Sequence, residues 1–541
     1  MLFRSGSGGM ISDPDREFLA ASGFALAPTP RQQMFIQRLY LYHVMSRPAE
    51  QLIVSFAQMD PKGESIRPSY LIGVLRQMYP KLRVETAEEK ISDPGQRTAK
   101  VAAALSAFAA GAMPDAEKMT FFTIYDMLHA EDAQLAEKLT EAAFYRYHPD
   151  RLSEETGENL YGKVLRNSVS RMEQFAECAY AHYLKYGMRL QERETHELQS
   201  FDIGNLYHAV LEQFGRGMEE EGADWQEITD ADIRRLLKQS AERALGAYGT
   251  EQLTQDARTA YQWKRMERVL LRTLQMTKYQ LSKGSFVPVK YESGFQRELK
   301  LDGNGGRMQL VGKIDRLDRM EEGGRQYLKV TDYKSGKRTL DIKNIYAGMQ
   351  LQLLLYLREA VTQAKKEQPG ETVIPAAAFY YILKDPIIDL KEAGAENAEE
   401  VIDAELRKEL RVTGMISADD AVVRGLDNTG DSNSDVIRLR RKKDGGYYKD
   451  SEVVPAEDLD LLMDYVESKV TELGSGIRAG EKEAAPFDED SCRYCTHREI
   501  CPFDRKLPGC RYRGTKLDKD TAWELIRKKM GRADEGGEQN G

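Results

Sequence analysis

Two aspartates and a lysine lie on two short runs of sequence that read as one β-hairpin. Gln309–Asp318 and Gln326–Gly336 both have strand composition, and Gly323-Gly324 between them suits a two-residue turn, because glycine accepts the positive φ angles it requires. With that turn Glu322 pairs with Arg325, and counting outward sets Asp315 opposite Asp332. Side chains alternate along a strand, so Lys334 shares the face of Asp332. The same alternation puts Val311 and Leu317 beside Asp315 and puts Leu328 and Val330 beside Asp332. Leu310 and Ile314 then line the other face, so the hairpin is expected to be apolar on both sides. Opposed carboxylates repel across a strand pair, and buried ones need a partner or a metal. Metal-dependent phosphodiester cleavage is the chemistry that fits. The plainer alternative is a solvated strand, since an Asp-x-Lys triplet alone has little specificity; the apolar neighbours argue against it.

The cysteines make a second constellation. Five occur, at 178, 492, 495, 501 and 510. An odd count in a large chain without a secretory leader points to metal and away from a disulfide framework. Cys492, Cys495 and Cys501 form a C-x2-C-x5-C run, and Cys178 is the one cysteine upstream that can complete a set of four. A structural zinc site usually draws on two close pairs. A distant cysteine completing a close triple better suits a four-cysteine iron–sulfur site. Zinc stays open through His497 or His182, and Cys510 is the spare.

These groups need elements to carry them. At 541 residues there is room for about three domains. A hydrophobic content of 41%, a charged content of 30% and a net charge of −9 describe an ordinary globular protein. They argue against a nucleic-acid coat but not against an enzyme with a local basic groove. The weakly polar run Val101–Met113 is too short to span a bilayer, and a cytoplasmic location without membrane contact is expected. Arg31–Tyr42 has helical spacing and leads into a short apolar strand at Leu52–Phe56. Polar, Ala-rich helices follow, then a linker near Ser153–Asn167. A capping box at Ser170/Glu173 opens a helix through Cys178 to Tyr186. Another helix, Ile203–Met218, carries Gly204 and His208. Beyond the hairpin come a helix over Tyr346–Lys366, a strand over Ala376–Leu383, a mobile Asp/Gly/Asn/Ser-rich loop over 418–448 and a helix over Pro455–Leu473. The tail from Gly531 is read as disordered.

The succession Gly204-x-x-x-His208, Glu292, Gly312-x-x-Asp315, Asp332-Tyr-Lys334 and Gln352-x-x-x-Tyr356 resembles the RecB-type branch of the PD-(D/E)xK nucleases. With one upstream cysteine and the C-terminal C-x2-C-x5-C, it resembles more narrowly the AddB family, the second subunits of AddAB helicase–nucleases. Tyr42–Leu52, with Arg47, is similar to the last motif of superfamily-1 helicases, whose arginine approaches the nucleotide's γ-phosphate. No G-x-x-x-x-G-K-[ST] loop is present, so no ATPase is expected of this chain alone. ATP would belong to a full-length family member or its partner.

The resemblance implies an α/β fold, a mixed-sheet nuclease core flanked by helices, stapled by an iron–sulfur cluster and preceded by a partial helicase-like domain. The implied layout is 1–80 helicase-like and truncated at its N-terminus, 81–167 helical connector, 168–510 nuclease and 511–541 C-terminal helix and disordered tail. It further implies Mg²⁺ held by His208, Asp315 and Asp332, with Lys334 beside the attacking water or the phosphate. Gln352 and Tyr356 would position the strand, and Glu292 would be a further ligand or base. A 4Fe-4S cluster would sit on Cys178, Cys492, Cys495 and Cys501. The implied activity is DNA exonuclease in double-strand-break processing for homologous recombination, with an AddA-like partner delivering a single strand. The alternatives are a non-catalytic DNA- or partner-binding scaffold and a stand-alone exonuclease.

Overall fold

The computed structural model describes residues 13–23, 28, 30–59, 64–84, 94–148, 150–191, 200–248, 257–301, 306–388, 398–514 and 517–531. The chain divides into two compact units, 1–100 and 101–541. In the first lie α1 (Asp13–Ala21), α2 (Pro30–Ser46) and α3 (Tyr70–Met78), the last capped by Ser69. The helix expected from Arg31 is therefore present. The strand expected at Leu52–Phe56 is not: residues 51–57 have no regular structure, and one isolated bridge, Met59 to Ser65, follows. Propensity alone does not make a strand where no ladder partner is at hand. The tail expected beyond Gly531 falls outside the described residues.

α4 (Pro94–Ala109), α5 (Asp115–Glu131) and α6 (Ala133–Phe144) follow, with Val101, Leu105, Phe121, Ile124 and Leu128 in a small core. The stretch expected to be a linker is structured instead. It holds α7 (Glu154–Tyr161) and β1 (Val164–Ser168), which pairs in parallel with the start of β3. Ser153 caps α7, and buried Leu165 and Asn167 alternate with exposed neighbours, which is a strand's pattern despite the polar composition.

α8 (Val169–Glu177) and α9 (Ala179–His182) come next, then the long helices α10 (Ser200–Glu221), α11 (Asp230–Tyr248) and α12 (Ala257–Ser282). The sheet continues with β2 (Val287–Lys300), β3 (Arg307–Glu322) and β4 (Arg325–Lys334). After α13 (Ile342–Ala347) and α14 (Gln352–Glu367) come β5 (Thr372–Ile382), α15 (Ala398–Glu409), β6 (Thr413–Ser417), α16 (Asp420–Leu426) and β7 (Val453–Val454). α17 (Ala456–Arg478), α18 (Glu489–Arg493) and α19 (Lys519–Lys529) close the series.

The seven-stranded mixed sheet runs β1-β3-β4-β5-β6-β7, with β2 also on β3. The β3–β4 register starts at Glu322 opposite Arg325, as the turn requires, and Gly323 and Gly324 have φ of 61° and 71°. α14 crosses between the parallel neighbours β4 and β5. One core joins the sheet to α10, α11 and α12 through Phe214, Ile233 and Leu270; the other joins it to α8, α14 and α17 through Met172, Leu354 and Val466. The result is a sheet with helices on both faces.

Three further sequence expectations change. The single helix expected over Tyr346–Lys366 is two, broken at Gly348 (φ 89°) and Gln350 (φ 58°), so that Gln352 becomes the first residue of α14. Ser168, not Ser170, caps α8, and Glu173 is used elsewhere. Residues 418–448 hold α16 and bury Val436, Ile437 and Leu439 against the first core, so apolar anchors fix a segment that its composition marked as mobile.

Candidate nuclease site

The site forms where β3 and β4 leave the hairpin's far end. The ladder closes with Arg316 opposite Thr331, and Asp315 and Asp332 are the next residues outward on the two strands. Strict alternation fails here. Leu310 and Ile314 belong to the same core as Leu317, Leu328 and Val330, while Arg316, Asp318 and Tyr333 form a buried polar group elsewhere. The pleat therefore changes phase around Asp315. Across from it on β2, Glu292 has a φ of 46°, a left-handed conformation costing on the order of 1–3 kcal/mol that its surroundings must hold.

That distortion brings Glu292 inward. His208 Nδ1 lies 3.2 Å from Glu292 Oε1 and 3.3 Å from Asp315 Oδ2. Each of the three offers a ligand atom within 4.8 Å of the other two, the one such group among the described residues. Asp332 stands beside this triad. Burial alone would lower the His208 pKa; hydrogen bonds to Asp315 and Glu292 reverse this and push it up to about 10. Lys313, which sequence reasoning missed, approaches Glu292 at 2.9 Å and Glu212 at 3.1 Å. Glu212 follows His208 by one helical turn, and that i, i+4 spacing was the available signal.

Burial, then the charge of Asp315, pushes the Asp332 carboxyl up to about 7 against the pull of Lys334. Lys334 Nζ is 2.7 Å from Asp332 Oδ2, yet that oxygen receives no well-aligned hydrogen bond. Asp332 Oδ1 accepts from Gln352 Nε2 at 2.8 Å. Gln352 Oε1 accepts from Lys334 at 3.0 Å, and Gln352 Nε2 also reaches Tyr356 Oη at 3.2 Å. Asp315 Oδ2 accepts from the Tyr333 backbone N–H at 2.7 Å. All seven residues singled out from the sequence thus meet at one end of the sheet. A cluster of imidazole and carboxylate oxygens, one of them buried and poorly satisfied, fits a hard divalent cation. Gly204 on the same helix has its Cα turned towards Ser335, with no close contact demanding glycine.

The PD-(D/E)XK nuclease superfamily matches residues 166–502 of the sequence. The chain belongs to that superfamily. Its sheet, with the acidic residues and Lys334 at the end of the β3–β4 hairpin, is accordingly a PD-(D/E)XK nuclease core. This nuclease chain is 33% identical over 540 residues to the B-type subunit of the ATP-dependent helicase/deoxyribonuclease of Lachnoclostridium phytofermentans, covering 96% of the chain and 46% of the relative. It is 33% identical over 521 residues to the corresponding subunit of Moorella thermoacetica, with 93% and 45% covered. For that of Clostridium acetobutylicum the figures are 29% over 552 residues, 98% and 47%. The chain spans about half the length of these curated relatives. Among its described residues no helix is long and apolar enough to cross a membrane.

Apart from the acidic site, Cys178, Cys492, Cys495 and Cys501 line one cavity of about 510 Å³, with Tyr180, Arg498 and Tyr512; Cys510 is not in its wall. Among the described residues no three of these thiols lie within 4.8 Å of one another. Burial, with neighbouring thiols adding, pushes the Cys178, Cys492 and Cys501 thiols above their ordinary pKa. His182, weighed from the sequence as a zinc ligand, is buried among Tyr161, Phe175 and Tyr186 and lines no part of the cavity. His497 does line it.

Proposed function

We propose that this chain is the metal-dependent deoxyribonuclease part of the AddB-type subunit of an ATP-dependent helicase–nuclease. The observation that carries the reading is the convergence of His208, Glu292 and Asp315 with the Asp332–Lys334–Gln352 cluster at one end of a PD-(D/E)XK sheet. His208, Asp315 and Asp332, with Glu292, would hold Mg²⁺. When bound, such a cation supplies a Lewis acid for a phosphoryl oxygen and lowers the pKa of water. Lys334 stands ready to stabilise negative charge on the phosphate or to orient the attacking water. Gln352 keeps Lys334 and Asp332 in line, and Tyr356 borders the same space.

In this reading the cut is exonucleolytic, on a strand of DNA delivered by an AddA-like partner during double-strand-break repair. The relatives' names, which couple a helicase to a deoxyribonuclease, support a helicase partner. Residues 1–80, with Arg47, would be part of a helicase-like domain, 81–167 a connector, 168–510 the nuclease domain, and 511–541 a helix and tail. ATP hydrolysis is assigned to the partner or to the rest of a full-length family member.

The thiol cavity would hold a 4Fe-4S cluster on Cys178, Cys492, Cys495 and Cys501. Its breadth supports a cluster over a single zinc ion, whose four ligands must crowd together. The test of the function is digestion of end-labelled single-stranded DNA by the purified chain with Mg²⁺ and with chelator. Cleavage should need Mg²⁺ and vanish in Lys334→Ala and Asp332→Ala. Equal digestion by either variant would remove this site from the chemistry.

A further inference from the structure

α14 starts without a cap of its own. Leu351, at its N-cap, offers no side-chain acceptor, and the turn before it passes through two left-handed residues, Gly348 and Gln350. Its first free amides are met instead by Glu173 of α8. Glu173 Oε1 accepts from the Leu351 N–H at 2.7 Å and from the Gln352 N–H at 3.2 Å. Its other oxygen faces Arg338 at 3.4 Å. The amide that Glu173 grips belongs to the residue whose side chain holds both Asp332 and Lys334.

α8 also reaches the thiol cavity, because Cys178 is its C-cap and donates its N–H to Gln174 O at 2.9 Å. Ala176 packs so closely on the turn before α14 that a Cβ on Gly348 would come within 3.0 Å of it. From the other side, Arg513 donates to the Ala176 and Glu177 carbonyls, and Phe487 N–H donates to Glu177 O at 2.8 Å. One short helix thus reaches the cavity through its C-cap and the cleavage site little more than a turn earlier.

We propose that Glu173 is a positioning residue for cleavage: it holds the start of α14, and with it Gln352, in register with Asp332 and Lys334, and it ties that register to the helix ending at Cys178. The inference deepens the nuclease reading above and rests on it. Its consequence is that disturbing the thiol cavity loosens the start of α14 although no cysteine touches the acidic site.

The experiment compares the anaerobically purified full chain with Glu173→Ala, Glu173→Gln and Cys178→Ser. It measures amide hydrogen exchange over residues 349–356 and steady-state digestion of labelled single-stranded DNA with Mg²⁺. Glu173→Ala should speed exchange at the start of α14 and lower kcat about a hundredfold, with KM for DNA nearly unchanged, as expected for misplaced but intact groups. Glu173→Gln retains an oxygen for the Leu351 amide and should recover most of both losses. Cys178→Ser should speed exchange in the same segment. Parental exchange in Glu173→Ala, a kcat loss without faster exchange, a glutamine variant as impaired as alanine, or a Cys178→Ser variant with parental exchange would each overturn the proposal. Should Glu173→Ala not fold, Glu173→Asp, whose shorter side chain withdraws the oxygen from the Leu351 and Gln352 amides, takes its place in both measurements. A parent chain that fails to cut DNA sinks the nuclease reading, and the exchange data alone then judge the hold of Glu173.

Discussion

Gly312 shows how tightly the site is packed at the level of single atoms. A Cβ there would lie 2.4 Å from the Phe295 ring and 3.1 Å from Tyr356, whose rings meet edge-to-face at 5.6 Å. Gly312→Ala should therefore displace Tyr356 and, through it, Gln352. Overpacking of this kind costs about 1–3 kcal/mol. A lower denaturation midpoint together with a larger proportional loss of DNA cleavage is the expected result, and an unchanged rate would show that Tyr356 does not shape the site. The principal residues were legible from the sequence because a two-residue turn fixes its register, and register alone sets Asp315 opposite Asp332. Glu173 was not legible as part of the site, because it matters through its contact with α14, which strand counting does not reach. The face assignment of Leu310 and Ile314 failed because the pleat of β3 changes phase around Asp315, and no local pattern announces that.

Among the elements, the segment between α16 and β7 departs furthest from its composition. Its Asp, Gly, Asn and Ser content suggested a free loop, yet three apolar side chains anchor it and Glu452 stitches it to β6. The Glu452 carboxylate accepts from the Gly414 N–H at 2.5 Å, and its own carbonyl accepts from Ile416 N–H at 2.8 Å. Burial pushes the Glu452 pKa up to about 7, against that hydrogen bond and Arg438. A folded pKa above the unfolded one means a stabilising contribution present in full at low pH and lost as pH rises through about 7. The difference is worth on the order of 3 kcal/mol. Glu452→Gln should match the parent in urea denaturation at pH 5 and exceed it at pH 8. Equal stabilities at both values would show that the carboxyl is not buried as described. Long elements with a clear period, such as α10 and α17, could be read from the sequence. Short ones such as β1, which owes its existence to β3, could not.

For the whole molecule, the thiol cavity matters because it joins distant parts of the chain. Tyr147 N–H donates to Pro508 O at 2.9 Å, Leu152 N–H to Gly480 O at 2.9 Å, and Tyr180 N–H to Glu483 O at 3.2 Å. A metal group on Cys178 and the C-terminal cysteines would lock this seam, and closing so long a loop is worth roughly a few kcal/mol beyond the bonds themselves. Cys178→Ser should lower the melting temperature and open residues 168–200 and 490–515 to protease. Elemental analysis of the parent should give iron; stoichiometric zinc without iron would discard the cluster and keep the seam.

The same seam orders events during synthesis. Every strand of the sheet, and every residue around the acidic site, leaves the ribosome before Phe487 and Arg513, the groups that clamp α8 from the other side. A nascent chain can build its sheet early, yet α8 stays unclamped until translation has passed position 513. On the positioning role proposed for Glu173, the hold on the start of α14 would be completed only after the message has been read far beyond the last residue of the acidic site.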